Sequence, residues 1–225
     1  MADERQCKRM HSTTSRNDIC FGSFGHRVAS DPKTTHTPQS LMGLEATGST
    51  LGIIGMGHVG YKVAERSKGF DMKVPYHSRT RRTTANEMAV GAVYCKNLDD
   101  LLKMSDFVMV AVTLTADTKG LIGCRELALM KPTAILVNIS RGVVVDQDAL
   151  VKALQSGTIH AVALDVTHPE PLLRDHPLLS LPNVQITPHT GTDTHRTARR
   201  MGQSVIANAV AAVNGLPIPN EVKSK

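Results

Sequence analysis

From Leu51 onward, short apolar runs alternate with stretches whose apolar residues recur three and four positions apart. The runs over Leu51–Ile54, Met72–Tyr76, Ala92–Tyr94, Phe107–Val112, Ala134–Asn138, Ala161–Leu164 and Val184–Thr187 are brief and mostly apolar. That is the pattern of strands covered on both faces. Helices are expected between them over His58–Lys68, Leu98–Met104, Cys124–Met130 and Gln147–Ser156, with a longer one from Thr194 to Asn214. Strand and helix in strict alternation predict an α/β fold, a Rossmann-type doubly wound parallel sheet. One residue objects: Pro75 falls inside the second run, where it would remove a ladder donor.

Residues 1–45 follow neither period, mixing Ser, Thr, His, Gly and both charge signs, and are expected to be irregular. With 225 residues, 41% of them apolar, one full domain and a remainder can be buried, but two complete domains would be crowded. Residues 46–193 are expected to form the α/β domain, and 194–225 a C-terminal helix and tail. The sequence has no apolar run of membrane-spanning length, and its charged start does not read as a secretory signal. These features exclude a membrane partner and lead to an expectation of a cytoplasmic protein. Cys7, Cys20, Cys95 and Cys124 are widely scattered, so reduced thiols are expected rather than disulfides or a metal site. The net charge of +6 suits an anionic ligand. No aromatic or basic stripe accompanies it, so nucleic acid is not expected as a partner.

The segment Gly55-Met-Gly57-His58-Val59-Gly60 places G-x-G-x-x-G directly after a strand and at the head of a helix. A glycine turn without a ligand is the plainer account of such a match, but here strand and helix flank it as a dinucleotide site requires. Gly55 allows the tight bend, Gly57 lets backbone approach a pyrophosphate, and Gly60 lets helix and strand pack closely. The helix start, with His58 and Val59, offers free N–H groups to the anion. About 20 residues on, an NAD site places an acid for the ribose hydroxyl. Here the strand runs instead into His77-Ser78-Arg79-Thr80-Arg81-Arg82. Arg79 can fork onto a 2′-phosphate, Ser78 can add a hydroxyl, and Arg81 or Arg82 can add charge. A solvated basic loop is the alternative. The expected cofactor is therefore NADP(H), with NAD(H) possible.

Three more segments follow in order: Val137-Asn-Ile-Ser-Arg141-Gly142, Ala163-Leu-Asp165-Val-Thr-His-Pro-Glu170-Pro171 and Thr187-Pro-His189-Thr-Gly191. With the glycine turn they resemble the D-isomer-specific 2-hydroxyacid dehydrogenases, most of all the glyoxylate/hydroxypyruvate reductases, over about four-fifths of the chain. The resemblance implies that Arg141 binds substrate, Glu170 is its acidic partner residue and His189 is the proton donor. It also implies that Asp165 faces the nicotinamide side of the cofactor, while Val112 and Thr113 pass over the same ring and Gly191 completes the histidine loop. The chemistry is consistent with this. A 2-keto acid receives hydride at carbon and a proton at oxygen, and imidazole donates protons near neutral pH. A carboxylate steadies the imidazolium, and a guanidinium fork answers the growing charge on the substrate. The implied reaction is NADPH-dependent reduction of glyoxylate or hydroxypyruvate to the D-2-hydroxy acid, by a homodimer formed through the nucleotide-binding domain.

In such families the glycine turn lies about a hundred residues further along, after a flavodoxin-like substrate domain. That domain is expected to be largely missing here, leaving the last helix to expose Met201, Val205, Ile206 and Val210. The alternative function is thus a catalytically weak or inactive truncated NADP-binding protein. Thr190, Thr192 and Asp193 after His189 also depart from the apolar-then-small pattern usual in the family.

Overall fold

The computed structural model describes residues 44–221, so all but the last two residues of the expected irregular segment 1–45 lie outside it. The described chain forms two compact units, which divide between Pro188 and His189.

The first unit is a seven-stranded, wholly parallel sheet: β1 (Leu51–Ile54), β2 (Val74–His77), β3 (Ala92–Tyr94), β4 (Phe107–Val110), β5 (Ile135–Asn138), β6 (Ala161–Leu164) and β7 (Val184–Ile186). The spatial order is β3-β2-β1-β4-β5-β6-β7, which reverses direction between β1 and β4. This is the doubly wound Rossmann arrangement expected from the alternation of elements. Helices α1 (His58–Ser67), α2 (Thr84–Val90), α3 (Leu98–Met104), α4 (Cys124–Leu129) and α5 (Gln147–Gln155) connect the strands.

Neighbouring residues on β1 enter different cores, as a period of two requires. Ile53 joins Tyr76, Ala64 and Val90, whereas Ile54 joins Leu101, Val108, Val110, Leu136 and Leu150. Each fully buried Leu or Ile contributes about 1.5–3 kcal/mol. The strands are therefore apolar on both faces, because both faces are covered.

Pro75 has a visible effect. Continuous β2 begins at Val74 and reaches His77, rather than covering Met72 to Tyr76 as expected. Upstream of the proline, pairing toward β1 continues only as an isolated bridge, Thr50 to Lys73, whereas Val74 pairs with Ala92 of β3. β1 regains its ladder past the proline, where Gly55 N–H donates to the His77 carbonyl at 2.8 Å. The other strands and helices match the expected elements to within two residues at either end. Helix α2 was not expected at all.

The second unit contains α6 (His195–Val213), entered through Thr194, whose hydroxyl accepts from the Thr197 N–H at 3.2 Å. Its Met201, Val205, Ile206, Val210 and Val213 are exposed.

Candidate functional site

The turn between β1 and α1 lies where the strand order reverses, the usual ligand crevice of an open parallel sheet. Gly55 has φ +99°, and a Cβ there would stand 2.6 Å from the Ala111 carbonyl oxygen. A Cβ on Gly60 would stand 2.2 Å from the Gly55 carbonyl oxygen. Both glycines are thus required by close backbone approach. Gly57 differs, since a Cβ there would meet nothing within 4 Å. Its bareness serves the open side of the turn, where α1 begins with no side-chain cap and no acid in its first turn. Unpaired N–H groups and the helix dipole make that surface fit for a pyrophosphate. The loop after β4 runs alongside: Ala111 N–H donates to the Ile54 carbonyl at 2.8 Å, and Val112 and Thr113 follow directly.

At the tip of β2 there is no acidic residue from Met72 to Asn86. Arg79 is exposed and makes no hydrogen bond or ion pair among the described residues. Ser78 is half-buried, its carbonyl accepting from the Tyr94 hydroxyl at 3.4 Å. Arg81 also carries an internal ion pair. Its Nε and Nη2 donate to the two Glu87 carboxylate oxygens at 2.9 and 2.8 Å. The Tyr76 hydroxyl donates to the same carboxylate at 2.6 Å. That guanidinium fork, then the tyrosine hydroxyl, hold the Glu87 carboxyl down at about 2. Burial, reinforced by Glu87, pushes the Tyr76 hydroxyl up to about 12. Arg82 donates through Nε to the Met56 carbonyl at 2.7 Å, and its backbone N–H donates to the Tyr76 hydroxyl at 2.8 Å. Glu87 and Tyr76 were not foreseen as part of the site. Their sequence signal is an acid on the first turn of a helix directly after an arginine run.

Further along the same edge, β5 and β6 end side by side, with Asp165 N–H donating to the Asn138 carbonyl at 3.0 Å. Fully buried Asn138 shapes the next turn. Its Oδ1 accepts from the Ser140 N–H at 3.0 Å and hydroxyl at 2.8 Å, and its Nδ2 donates to the Arg141 carbonyl at 3.0 Å. Arg141 therefore leaves the sheet on a fixed backbone with an exposed side chain, whose Nη1 donates to the Ser140 carbonyl at 2.6 Å. Asp165 is half-buried and accepts from the Thr187 hydroxyl at 2.5 Å, tying β6 to the end of β7. Glu170 is exposed in the loop after β6. The Gln147 side chain clamps that loop by accepting from the His168 N–H at 2.7 Å and donating to the His168 carbonyl at 2.5 Å. Asn138 and Gln147 also went unforeseen as supports: Asn138 acts within its own turn, and the partner of Gln147 lies 21 residues along the chain.

The first unit thus gathers the glycine turn, Val112, Thr113, Ser78, Arg79, Arg81, Arg141, Asp165 and Glu170 after the carboxyl ends of its strands. His189 and Gly191 belong to the second unit, where both are exposed and His189 has φ 54°, a left-handed backbone uncommon for a residue with a side chain. Among the described residues no cluster of His, Cys, Asp and Glu is arranged to hold a metal. No helix among them is long and apolar enough to cross a membrane. Cys95 and Cys124 are free thiols, while Cys7 and Cys20 lie outside the described residues.

A family model for the D-isomer specific 2-hydroxyacid dehydrogenase NAD binding domain matches residues 21–191. The chain is 47% identical over 190 residues to a glyoxylate reductase of Aeropyrum pernix, covering 84% of this chain and 56% of that protein. It is 48% identical over 174 residues to a glyoxylate/hydroxypyruvate reductase B of Pectobacterium atrosepticum, covering 77% of this chain and 54% of that one. The solved structure of a D-lactate dehydrogenase with NAD+ from Lactobacillus jensenii superimposes with TM-score 0.77 and 29% identity, covering 91% of this chain and 64% of that chain. The chain spans little more than half the length of the curated relatives it matches.

Proposed function

The chain belongs to the D-isomer-specific 2-hydroxyacid dehydrogenases through their NAD-binding domain, and from that premise we propose that it binds NADP(H) and reduces glyoxylate or hydroxypyruvate to the D-2-hydroxy acid. The observation that carries the cofactor reading is the acid-free tip of β2, where Arg79 stands exposed and unpaired among the described residues beside the glycine turn. A 2′-phosphate offers such a guanidinium paired, charge-assisted bonds, whereas an acid at that position would repel it. The nicotinamide fold is shared by NAD-linked relatives, so only this tip separates the two dinucleotides.

When bound, the dinucleotide supplies the hydride for the substrate carbonyl carbon. The chain's own residues have the remaining roles. Arg141, held on the turn that Asn138 fixes, presents its fork to the substrate carboxylate and keto oxygen, where negative charge grows as the carbon is reduced. His189 donates the proton to that oxygen, and Glu170 supports the charged imidazole. Asp165 orients the nicotinamide side of the site, anchored by Thr187. Family membership and the likeness to glyoxylate reductases support this reaction.

Fluorescence titration with NADPH and NADH, followed by NADPH oxidation with each keto acid, tests the reading. Arg79→Ala is expected to weaken NADPH roughly tenfold or more while sparing NADH, the effect of losing a charge-assisted bond. Equal losses would sink the phosphate assignment. Binding without any oxidation would select the catalytically silent NADP-binding alternative.

A further inference from the structure

We propose that Arg82 is a positioning residue for the dinucleotide turn, and that Tyr76 and Glu87 lock it there, leaving Arg79 as the arginine of this run available to a ligand. The inference rests on the reading of the turn as a dinucleotide site, but assigns work to residues which that reading does not use.

The geometry is a chain of contacts from one end of the site to the other. Met56 stands between Gly55 and Gly57, its side chain buried at 3% exposure. Its carbonyl accepts from Arg82 Nε at 2.7 Å. The Arg82 guanidinium also lies 5.6 Å from the centre of the Tyr61 ring on α1. One side chain thus touches the turn and the helix whose first N–H groups would face a pyrophosphate. The backbone of Arg82 is fixed from the other direction. Its N–H donates to the Tyr76 hydroxyl, and that hydroxyl donates to Glu87, so the phenol is used in both directions. Glu87 in turn takes the Arg81 fork, and Arg81 stacks 5.5 Å from the Tyr94 ring. Tyr76 is wholly buried and Glu87 nearly so, which makes these bonds expensive to leave unmade.

The three arginines therefore divide their labour. Arg81 is neutralised by a carboxylate, Arg82 is spent on a backbone carbonyl, and Arg79 has neither partner. A ligand arginine affects the dinucleotide that carries the extra phosphate. A brace under the turn affects every dinucleotide alike, since all share the pyrophosphate.

Arg82→Gln in the full chain separates these roles. NADPH and NADH affinity should fall by the same factor, roughly tenfold, as expected for losing a hydrogen bond from a charged donor. In nucleotide-free protein, amide exchange of the peptide spanning residues 51–60 should quicken. Arg82→Lys, which retains one cationic donor, should recover part of both. Tyr76→Phe, which keeps the buried ring, should shift affinity and exchange in the same direction by less, and it carries the test if Arg82→Gln does not fold. A loss confined to NADPH would make Arg82 a phosphate ligand and overturn the proposal. So would unchanged exchange at the turn. Wild-type protein that binds neither dinucleotide would refute the functional reading, while the exchange measurement would still decide on the brace.

Discussion

Gly57 and Gly142 lack a side chain for opposite reasons. A Cβ on Gly57 would project into open space, with φ −74° acceptable to any residue. A Cβ on Gly142 would stand 2.0 Å from the Thr167 carbonyl oxygen, a backbone atom that cannot swing away. Gly57→Ala should therefore fold with an unchanged melting temperature yet lose dinucleotide affinity, because the added methyl occupies ground the pyrophosphate needs. Gly142→Ala should melt earlier, by roughly 3–10 °C, since overpacking costs about 1–3 kcal/mol in a chain of this size. Thermal denaturation with and without NADPH checks both. A Gly57→Ala protein that binds NADPH normally would remove the turn from the site. The role of Gly57 was legible in the sequence, because glycine spacing after a strand has a local meaning. The constraint on Gly142 was not, because Thr167 belongs to the loop after another strand.

Helix α2 shows why an element can escape a pattern search. Its buried positions are Glu87 and Val90, while Met88 is exposed at 76%. A charge shares the inward face with Val90 while apolar Met88 faces outward, which blurs the amphipathic pattern. Capping signals were present: the Thr83 hydroxyl accepts from the Asn86 N–H at 3.3 Å, and Gly91 ends the helix at φ 66°. Among the described residues the inward acid is satisfied by Arg81 and Tyr76, which no helical period reveals. Its pairing carries a pH signature. The folded carboxyl lies at about 2 against an ordinary 4.5, so between those values the unfolded chain binds more protons than the folded one. The stabilisation is complete above about pH 4.5 and is lost as pH falls toward about 2. Melting temperatures measured from neutral pH down through that window should fall more steeply for the wild type than for Glu87→Gln. Parallel curves would show that the pairing contributes nothing to the fold. Strand ends were misjudged for a simpler reason: Val112 continues an apolar run and β-branched Thr187 follows Ile186, but both lie beyond the last residues of their strands.

At the scale of the molecule, the residues proposed for chemistry divide between the two units. Arg141 and Asp165 stand on turns fixed by buried Asn138 and by Thr187, and their placement follows from the sheet. His189 begins the second unit, and its assignment comes from the sequence motif. Its φ of 54° is nonetheless informative, since a side-chain-bearing residue in the left-handed region is uncommon and clusters at functional positions. The sequence could identify the histidine by its neighbours, but not its left-handed backbone, which no local residue pattern specifies. The proposed proton donor and the proposed dinucleotide site make separable demands. His189→Ala removes the group proposed to protonate the keto oxygen and leaves every side chain proposed to hold the dinucleotide in place. Reduction of hydroxypyruvate and glyoxylate by the variant should therefore fall at least a hundredfold, the low end of what general acid catalysis supplies. NADPH affinity should stay within about twofold of the wild type, because no pyrophosphate or ribose contact is assigned to His189. Stopped-flow NADPH oxidation beside a binding titration reads both. Unchanged turnover would remove His189 from the mechanism, and a joint loss of binding and turnover would make the histidine loop part of the cofactor site instead.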